Sequence, residues 1–578
     1  MTKNKSFKNF SILSFILMGL SGLFTLLSIS FHGDISILAF VLCGGYIAIT
    51  FYLLGIQVLK NTNGKHILAL NRLIEFMPYV FFVAFILRRA GNFGTPFWYD
   101  LITVLLWFAI FVFSILVSRK LDFKHNASIV EGWAVPPVER KGKGGARFLF
   151  EVCDWIYAII WAVFSVLIIQ IFVVQLYEIP SESMVPTFLV KDRVFVSKID
   201  CGPKFPLTDV GLPTFRKYKR GDTVVLRNPH YRMDRKSEVK TVTSQLVYML
   251  SFMTVNLNTD ENGEMKADPL VKRITGLPGE QLVMQDGVLY VRTADSDKFQ
   301  PSEIDAKYAT WNLNECPPEI FKNIRNPLFT NEQYEEMIDF EAARRDFDLD
   351  LAVYEANSIV NDVTLFAKKY AAGVPIYDYF VEPELFERNL FSNINELSYQ
   401  MLSQNGGVQW FSKFMTSWIP AKDNNRDVYS ESNFKLNVMS KITFGRLIRR
   451  YCQAYAGGED FAALQSDPEF IDDFKNAELL NWYIQHLLDS RNMPVFPAND
   501  SNGNPQYIPE NCYFMMGDNR FNSLDLRHDT DAHEKPLTSE DPMSVTYYSM
   551  MKPQYINKKY IIGKPMFRFW PLNRTGKV

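Results

Sequence analysis

The stretch Val271-Lys272-Arg273-Ile274-Thr275-Gly276-Leu277-Pro278-Gly279-Glu280 places a lysine and an arginine inside an apolar run that ends in Gly-x-Pro-Gly. It is followed by Gln281–Arg292, in which Asp286-Gly287 lies between two apolar runs. An Asp-Gly pair between apolar segments is typical of a tight β-hairpin. Because a lysine at the end of an apolar strand usually extends its amine to solvent, this stretch alone predicts β-structure and no function.

Two further segments on either side of this strand carry unusual groups of polar residues. The first is Tyr177-Glu178-Ile179-Pro180-Ser181-Glu182-Ser183-Met184-Val185-Pro186-Thr187, and the second is Gly517-Asp518-Asn519-Arg520-Phe521-Asn522-Ser523-Leu524-Asp525-Leu526-Arg527. Prolines restrict the residues before them, so the first segment should be extended or turning and should present its serines. Taken singly, the first could be an ordinary linker and the second a polar loop.

The N-terminal third is largely apolar and predicts a membrane bundle. A membrane-spanning helix needs about 20 mostly apolar residues, because lipid offers no partner to an unpaired backbone amide. Five stretches are candidates: Phe10–Phe31, Ile35–Leu59, Ile67–Leu87, Phe97–Val117 and Phe148–Tyr177. In the third, Arg72 and Glu75 lie three residues apart on one helical face and could pair, although a short re-entrant or interfacial helix is an alternative there. The first is too long for the apolar region of a cleavable signal peptide, which favours an uncleaved anchor.

Lysine and arginine in the short loops predict how the bundle is oriented, since they are enriched on the cytoplasmic side. Basic residues are concentrated between the fourth and fifth stretches (Arg119, Lys120, Lys124, Arg140, Lys141, Lys143 and Arg147), whereas the loop 32–34 has none. We therefore expect a cytoplasmic N-terminus and place everything after Tyr177 outside. Arg88 and Arg89 go against this bias.

Composition excludes several classes of protein. The chain has 578 residues, 48% of them hydrophobic, and a net charge of −2 from 61 basic and 63 acidic residues. These values exclude a collagen, a disordered polymer and a basic nucleic-acid binder. Six cysteines without CxxC spacing argue against a zinc knuckle. Four of them, Cys201, Cys316, Cys452 and Cys512, could pair outside the membrane or stay free. His528-Asp529-x-Asp531-x-His533 lacks the HExxH spacing and is interpreted as a solvated loop, so we expect no metal and no cofactor.

Taken together, the three polar segments resemble bacterial type I signal peptidase, the membrane serine protease that removes signal peptides. That family carries a Ser-x-Ser-Met-x-Pro-Thr box beyond its last anchor, a Lys-Arg-x-x-Gly-x-Pro-Gly box and a Gly-Asp-Asn-x-x-x-Ser-x-Asp-Ser-Arg box. The first two are intact here, and in the third Leu526 stands where the family usually has serine. Gly221–Leu226 is similar to a fourth family element, and Ile562–Lys564 with Arg568–Asn573 to the closing strand. The order of all these elements is that of the family.

The resemblance implies roles for individual residues. Ser183 would be the nucleophile and Lys272 the general base, with its amine made basic at neutral pH by an apolar site. Ser523 would orient that amine, and the Ser181 hydroxyl with the Ser183 backbone N–H would form the oxyanion hole. The remaining candidates are supporting residues around Ser523 (Gly517, Asp518, Asp525 and Arg527, with Asp518 able to contact Arg527) and substrate contacts (Ile179, Pro180 and Met184).

The predicted fold class is an α-helical membrane region followed by a mainly-β catalytic domain of the signal-peptidase type with a large α-helical insertion. The expected parts are residues 1–177 (transmembrane), 178–293 (first part of the catalytic core), 294–506 (insertion) and 507–578 (second part of the core). The insertion holds 33 acidic and 19 basic residues, so it is strongly acidic. Thr330–Gln333 fits a capping box before a helical pattern that stops near Gly373, and Asp467–Leu488 is a second helix candidate with Asp467 as N-cap.

The expected function is cleavage of secreted preproteins after a small-x-small, Ala-x-Ala-like site at the bacterial cytoplasmic (inner) membrane. The expected partners are these preproteins, the lipid bilayer and a secretion translocon, and no nucleic acid. An alternative of another class is a secretion-assembly scaffold that binds partners through the insertion at 294–506 without catalysis. A soluble self-cleaving repressor-type Ser/Lys protease is disfavoured by the membrane spans, and the Ser-x-x-Lys pairs elsewhere lack the partner motifs of penicillin-binding proteins.

Overall fold

The computed structural model describes residues 5–29, 35–62, 66–90, 95–126, 129–130, 133, 144–229, 231, 235–251, 255, 257, 268–296, 298–326, 328–373, 378–459 and 461–578. Much of the sequence that predicts the orientation of the bundle lies outside these residues, including the loop 32–34 and the basic residues Arg140, Lys141 and Lys143. The orientation therefore stays a prediction.

The N-terminal region is helical. Its helices are α1 (Lys5–Leu27), α2 (Ile35–Phe51, continued by a π-helix over Tyr52–Lys60), α3 (Ile67–Ala90), α4 (Phe97–Leu121), the single turn α5 (Phe123–Asn126) and α6 (Gly145–Phe172). Among the described residues, five helices are long and apolar enough to cross a membrane, and α3 is one of them. The predicted pairing in α3 is present: Arg72 Nη1 lies 3.9 Å from Glu75 Oε2, and Arg72 Nη2 lies 3.0 Å from Asp154 Oδ1 of α6.

The last apolar stretch changes from helix to strand before its predicted end at Tyr177. Helix α6 ends at Phe172, and Val174–Glu178 forms strand β1, which pairs antiparallel with β2 (Arg193–Ser197). An apolar run has no periodicity that separates a membrane helix from a buried strand, so its sequence does not reveal where the backbone changes partner. The large sheet thus begins directly at the end of the last long apolar helix.

Arg88 and Arg89, which go against the charge bias of the loops, are buried at the end of α3. Arg88 Nη2 lies 2.9 Å from Asp100 Oδ1, and Arg89 Nε lies 3.3 Å from Asp100 Oδ2. Arg89 Nη2 also donates to the carbonyl of Leu207 at 3.0 Å, and Phe205 packs among aromatic side chains of the bundle. Buried charges persist when they are paired and hydrogen-bonded, so neither arginine faces solvent. Arg88 is paired within the bundle, and Arg89 joins the bundle to a loop of the β-rich part.

Within its described residues, the β-rich part contains one large and two small antiparallel sheets. Its further strands are β3 (Thr223–Leu226), β4 (Leu270–Gly276), β5 (Glu280–Gln285), β6 (Val288–Thr293), β7 (Gln300–Pro301), β8 (Met493–Phe496), β9 (Cys512–Met516), β10 (His528–Pro536), β11 (Thr546–Met551), β12 (Ile556–Asn557), β13 (Ile561–Trp570) and β14 (Gly576–Lys577). The large sheet runs β1-β2-β13-β3-β4-β9-β12, with β14 beside β13, and curls into a half-barrel. The small sheets are β7-β6-β5-β8 and β10-β11. The predicted mainly-β domain is confirmed.

The predicted hairpin joins β5 and β6. Its turn residues Asp286 and Gly287 have φ angles of 52° and 78°, and the register pairs Gln285 with Val288. Positive φ at both central positions is the type I′ geometry, which matches the twist of the strands and favours Asp-Gly. The hairpin read from the sequence is therefore confirmed in position and in turn chemistry.

Helices make up most of the region inserted between the two halves of the sheet. One helix, α7 (Arg235–Leu250), lies between β3 and β4. The others are α8 (Glu303–Tyr308), α9 (Pro318–Phe321), α10 (Asn331–Arg345), α11 (Leu349–Ala371), α12 (Glu387–Leu390), α13 (Ile394–Ser403), α14 (Gly407–Thr416), α15 (Val428–Gly457), α16 (Phe461–Leu464), α17 (Pro468–His486) and α18 (Leu488–Arg491). The capping box formed by Thr330 and Gln333 and the Asp467 N-cap are both confirmed.

The helical pattern that starts at Thr330 is divided in two, whereas the sequence predicts one run to about Gly373. Helix α10 ends at Arg345, and Asp348 caps the next helix by accepting from the backbone N–H groups of Asp350 and Leu351. Aspartate competes with helical hydrogen bonding and favours a cap, which is the physical reason for the break.

The insertion and the β-rich part share strands and a buried ion pair. Strands β7 and β8, inside the range 294–506, pair with β6 and β5. Lys441 of α15 and Asp541, which follows β10 in the chain, are both fully buried, with Nζ and Oδ2 2.5 Å apart. The predicted bounds at 294 and 506 stay a prediction, and these contacts indicate that the two parts fold against each other.

The structure also describes the segment that begins at His528 and the four cysteines whose pairing the sequence leaves open. The segment His528–Pro536 is not a loop but the strand β10, paired with β11 and mostly exposed beyond His528. Of the cysteines whose pairing the sequence leaves open, Cys201 and Cys512 are buried in the β-rich part and Cys452 in α15, while Cys316 is half-buried. All four are free thiols.

Candidate active site

Lys272 lies on β4, an inner strand of the large sheet, where it pairs with Val224 of β3. Its side chain is 2% exposed. Burial disfavours the charged ammonium and lowers the pKa of Lys272 to about 8, with the nearby Asp525 carboxylate acting in the opposite direction. The amine donates to Ser523 Oγ at 2.9 Å. The lysine is thus held by a hydroxyl in a site that brings its pKa close to neutrality.

A chain of hydrogen bonds fixes Ser523. Its hydroxyl donates to Asp525 Oδ2 at 2.9 Å, and the two oxygens of that carboxylate accept from Arg527 Nε at 2.9 Å and Nη2 at 3.1 Å. Burial alone would raise the pKa of Asp525, but the Arg527 guanidinium holds it well below its ordinary value. Since Asp525 stays ionised, it keeps the proton of Ser523 turned away from Lys272, so the serine presents a lone pair to the amine.

Ser183 lies on a tight turn that follows β1. The backbone N–H of Val185 donates to the Glu182 carbonyl at 3.1 Å, and that of Phe188 donates to the Met184 carbonyl at 2.9 Å. The exposed Ser181 donates its hydroxyl hydrogen to Ser183 Oγ at 3.3 Å. Ser183 and Lys272 both belong to the described residues, and their side chains are not hydrogen-bonded to each other. Lys272 Nζ donates to Ser523 Oγ instead.

Gly517 is the point at which the three predicted segments meet. A Cβ atom at this position would collide with Ser523 Oγ and with the carbonyl oxygen of Ser183. The backbone N–H of Gly517 also donates to Asp525 Oδ2 at 3.0 Å. The absence of a side chain therefore allows the turn with Ser183 and the loop with Ser523 to approach each other beside β4.

Asp518 pairs with Arg273, whereas the sequence suggested a contact with Arg527. Arg273 Nε and Nη2 lie 2.7 and 2.6 Å from the two carboxylate oxygens of Asp518, and Thr187 donates to Asp518 Oδ2 at 2.5 Å. In the sequence, Arg273 is one residue of the Lys-Arg-x-x-Gly-x-Pro-Gly motif, and nothing in that motif distinguishes it from an arginine that faces solvent. Its buried bidentate pair connects β4, the Ser183 turn and the Ser523 loop, which only the fold brings together.

The three candidate substrate contacts differ in exposure. Ile179 and Met184 are 2% and 1% exposed and belong to an apolar cluster with Phe188 and Val194, while Pro180 is exposed. In this structure Ile179 and Met184 pack inside this cluster and stabilise the turn that carries Ser183. Their role as substrate contacts stays a prediction.

Leu526 occupies the place of the family's usual serine without an unpaired polar group. It is 1% exposed in the apolar cluster that also contains Met515 and Phe514. Its carbonyl accepts from the backbone N–H of Gln554 at 2.9 Å. Leucine in place of serine at this position is therefore compatible with the apolar side chains that surround it.

This arrangement is able to activate a hydroxyl nucleophile. A lysine with a pKa of about 8 is neutral in about one molecule in ten at pH 7, and its lone pair is then free because Ser523 accepts one of its hydrogens. Lys441 has a similarly lowered pKa, but its amine lies 2.5 Å from the Asp541 carboxylate. Lys272 differs because its amine donates to the Ser523 hydroxyl and forms no ion pair with a carboxylate among the described residues, and because a serine-bearing turn lies nearby. This is the chemistry of nucleophile activation.

Comparisons with known proteins agree with these motifs. A family model described as "Signal peptidase, peptidase S26" matches residues 152–357, which include Ser183 and Lys272 but not Ser523. Signal peptidase I of Buchnera aphidicola (subsp. Schizaphis graminum) is 38% identical over 71 residues, 12% of this chain and 23% of the relative. Signal peptidase I of Haemophilus influenzae is 24% identical over 182 residues (32% and 48%), and Signal peptidase I P of Bacillus subtilis subsp. natto is 29% identical over 169 residues (28% and 64%).

These matches cover only parts of the proteins compared. In the three relatives, the chain spans between about a quarter and under two thirds of the relative's own length. No solved structure matches the chain.

Proposed function

We propose that this chain, whose residues 152–357 match the signal peptidase family, peptidase S26, is a membrane-bound serine endopeptidase that removes N-terminal signal peptides from secreted preproteins. Ser183 is the nucleophile and Lys272 the general base. Cleavage follows a small-x-small, Ala-x-Ala-like sequence.

The observation that supports this proposal best is the state of Lys272. A lysine with its ordinary pKa is protonated at neutral pH and cannot accept a proton. Here burial lowers the pKa to about 8, and Ser523 orients the amine at 2.9 Å. General bases work best with a pKa near the operating pH, which is what this site supplies.

The proposed reaction is an acyl transfer in two halves. Ser183 Oγ attacks the scissile carbonyl carbon while its proton passes to Lys272 Nζ, and the developing oxyanion accepts from the Ser183 N–H and the Ser181 hydroxyl. Lys272 then returns the proton to the departing amine, and water hydrolyses the acyl-enzyme with Lys272 again as base. The step requires Ser183 Oγ to hydrogen-bond Lys272 Nζ in the substrate complex, and such bonds commonly tighten when substrate binds.

The five long apolar helices found among the described residues support association with a membrane. We place the protein as a multi-pass protein of the bacterial cytoplasmic (inner) membrane with its catalytic domain on the extracytoplasmic side. Strand β1 begins two residues after α6, which supports a site close to the bilayer surface. The proposed partners are preproteins, the lipid bilayer and a secretion translocon.

The cleavage site tests the proposal directly. Purified protein in detergent is incubated with a preprotein carrying Ala-x-Ala before the mature sequence, and the product N-terminus is read by mass spectrometry. We expect one new N-terminus directly after the second alanine. A matched preprotein with leucine in place of both alanines should stay uncut, and equal cutting of both would contradict the proposed specificity.

The pH dependence of cleavage should report Lys272. Because the neutral amine is the active form, kcat/KM should rise about tenfold per unit below pH 8 and level off above it. The measurement is a pH–rate profile on a peptide substrate without titrating groups. A rate that is flat between pH 6 and 8 would rule out a lysine of this pKa as the base.

The alternative, a secretion-assembly scaffold that acts through its insertion, is favoured by one observation. An open groove of about 880 Å³ lies among α10, α15 and α17, with an acidic wall (Glu332, Glu335, Glu336 and Asp339) and an apolar floor that includes Phe340, Ile442 and Leu480. An amphipathic basic helix suits such a groove. On this hypothesis, cells that depend on the protein survive Ser183→Ala but not deletion of 294–506 or charge reversal of Glu335 and Glu336.

A further inference from the structure

The first part of the insertion packs against the Ser183 turn. Leu313, which is 6% exposed, forms an apolar cluster with Val185 and Leu189 of that turn. The backbone N–H of Arg325 donates to Glu182 Oε1 at 2.6 Å. Glu182 directly precedes the nucleophile and is 6% exposed. Two separate contacts from one inserted segment therefore fix the residues on both sides of Ser183.

The same segment also holds the loop that leads to Ser523. The backbone N–H of Thr310 donates to the Asp518 carbonyl at 2.8 Å, and its carbonyl accepts from the Arg520 N–H at 3.1 Å. Arg520 Nη2 lies 2.5 Å from Asp305 Oδ1, with both side chains almost fully buried. Thr310 thus forms a short parallel bridge with Asn519, the residue between its two partners.

Asn519 connects these two sets of contacts. Its backbone N–H donates to the Ser183 carbonyl at 3.1 Å, and its side-chain amide donates to the Glu182 carbonyl at 3.1 Å. The inserted segment therefore contacts both Asn519, which is bonded to the Ser183 carbonyl, and Glu182, the residue before Ser183. These contacts constrain the backbone of the nucleophile. Tyr308, in the same segment, places its ring under the Arg273 guanidinium, 3.7 Å from Cζ to the ring centroid.

We propose that residues 303–325, the buttress segment, are a positioning element of the catalytic centre, and that Glu182 is a positioning residue acting through the Arg325 N–H. The inference rests on the proposed function for its catalytic meaning. It divides the predicted insertion: the part up to Arg325 sets the geometry of Ser183, and the helices from α10 onward serve another purpose. A shift of about 1 Å in a nucleophile is enough to lower turnover strongly without weakening substrate binding.

The test uses the full-length protein with two substitutions in these contacts. Leu313→Ala opens a cavity under Val185 and Leu189, and Glu182→Ala removes the acceptor for the Arg325 N–H. For both we expect kcat to fall about tenfold to a hundredfold with little change in KM. Amide exchange of peptides covering residues 184–189 should become roughly tenfold faster. Glu182→Gln, which keeps an acceptor oxygen, should restore both values.

Leu402→Ala is the matched control, since Leu402 is 2% exposed in α13 and belongs to the helical core instead. It should lower global stability while leaving exchange at 184–189 and kcat as in the wild type. If Leu402→Ala changes these as much as Leu313→Ala does, or if Glu182→Ala changes neither, the buttress segment has no positioning role. Exchange is measured without substrate, so the result stands even if the wild type cleaves no signal peptide and the proposed function fails.

Discussion

Replacing Ser183 by alanine is expected to lower the rate of signal-peptide cleavage by on the order of 10⁴-fold or more, because the variant has no nucleophile to form the acyl-enzyme. Ser183 is half-buried on a turn whose backbone hydrogen bonds do not involve its hydroxyl. The substitution should therefore leave the fold intact. Cleavage of a preprotein is followed by gel and mass spectrometry, and thermal unfolding is measured on the same sample.

Lys272→Met keeps the volume of the side chain and removes the base, so we expect a loss of about 10²–10⁴-fold. The two variants together should be no worse than Ser183→Ala alone, since residues that act as a unit are not additive. Ser403→Ala, which removes an exposed helical hydroxyl bonded to the Tyr399 carbonyl, is the control. Full activity in either site variant would overturn the Ser/Lys assignment.

Lys441→Met is expected to cost about 3–5 kcal/mol of unfolding free energy, because it leaves the Asp541 carboxylate buried without its cation. Both side chains are fully buried, and Lys441 also donates to the Phe414 carbonyl and to Ser417 Oγ, each at 2.9 Å. The pair links α15 of the insertion to the segment after β10, so its loss should loosen the two parts from each other. Chemical unfolding in detergent measures the change.

Two further variants separate the missing charge from the missing packing. Lys441→Met combined with Asp541→Asn removes both charges and should recover a large share of the loss, since the remaining amide keeps hydrogen-bond partners. Lys552→Met breaks the exposed pair with Asp529 and should have no measurable effect. If Lys441→Met were as stable as wild type, the buried pair would not hold the insertion to the sheet.

The sequence predicts parts of this molecule well because they depend on local chemistry. The Asp286-Gly287 hairpin follows from the need for positive φ, and the caps at Thr330 and Asp467 follow from the unpaired amides at a helix start. The change from α6 to β1 is different. It depends on β1 pairing with β2, a partner about 20 residues later, and an apolar run carries no sign of that partner.

By itself, the sequence determined the resemblance to a known family, the long apolar helices, the β-rich class and the residues proposed as nucleophile and base, because motif spacing and hydrophobic patterning are local properties. The tertiary structure alone decided that Lys272 is buried with a pKa of about 8, that Asp518 pairs with Arg273, and that residues 303–325 contact the Ser183 turn. Burial and charge pairing depend on which distant segments meet. Val185 and Leu313, 128 positions apart in the sequence, come into contact only when the sheet and the insertion fold together.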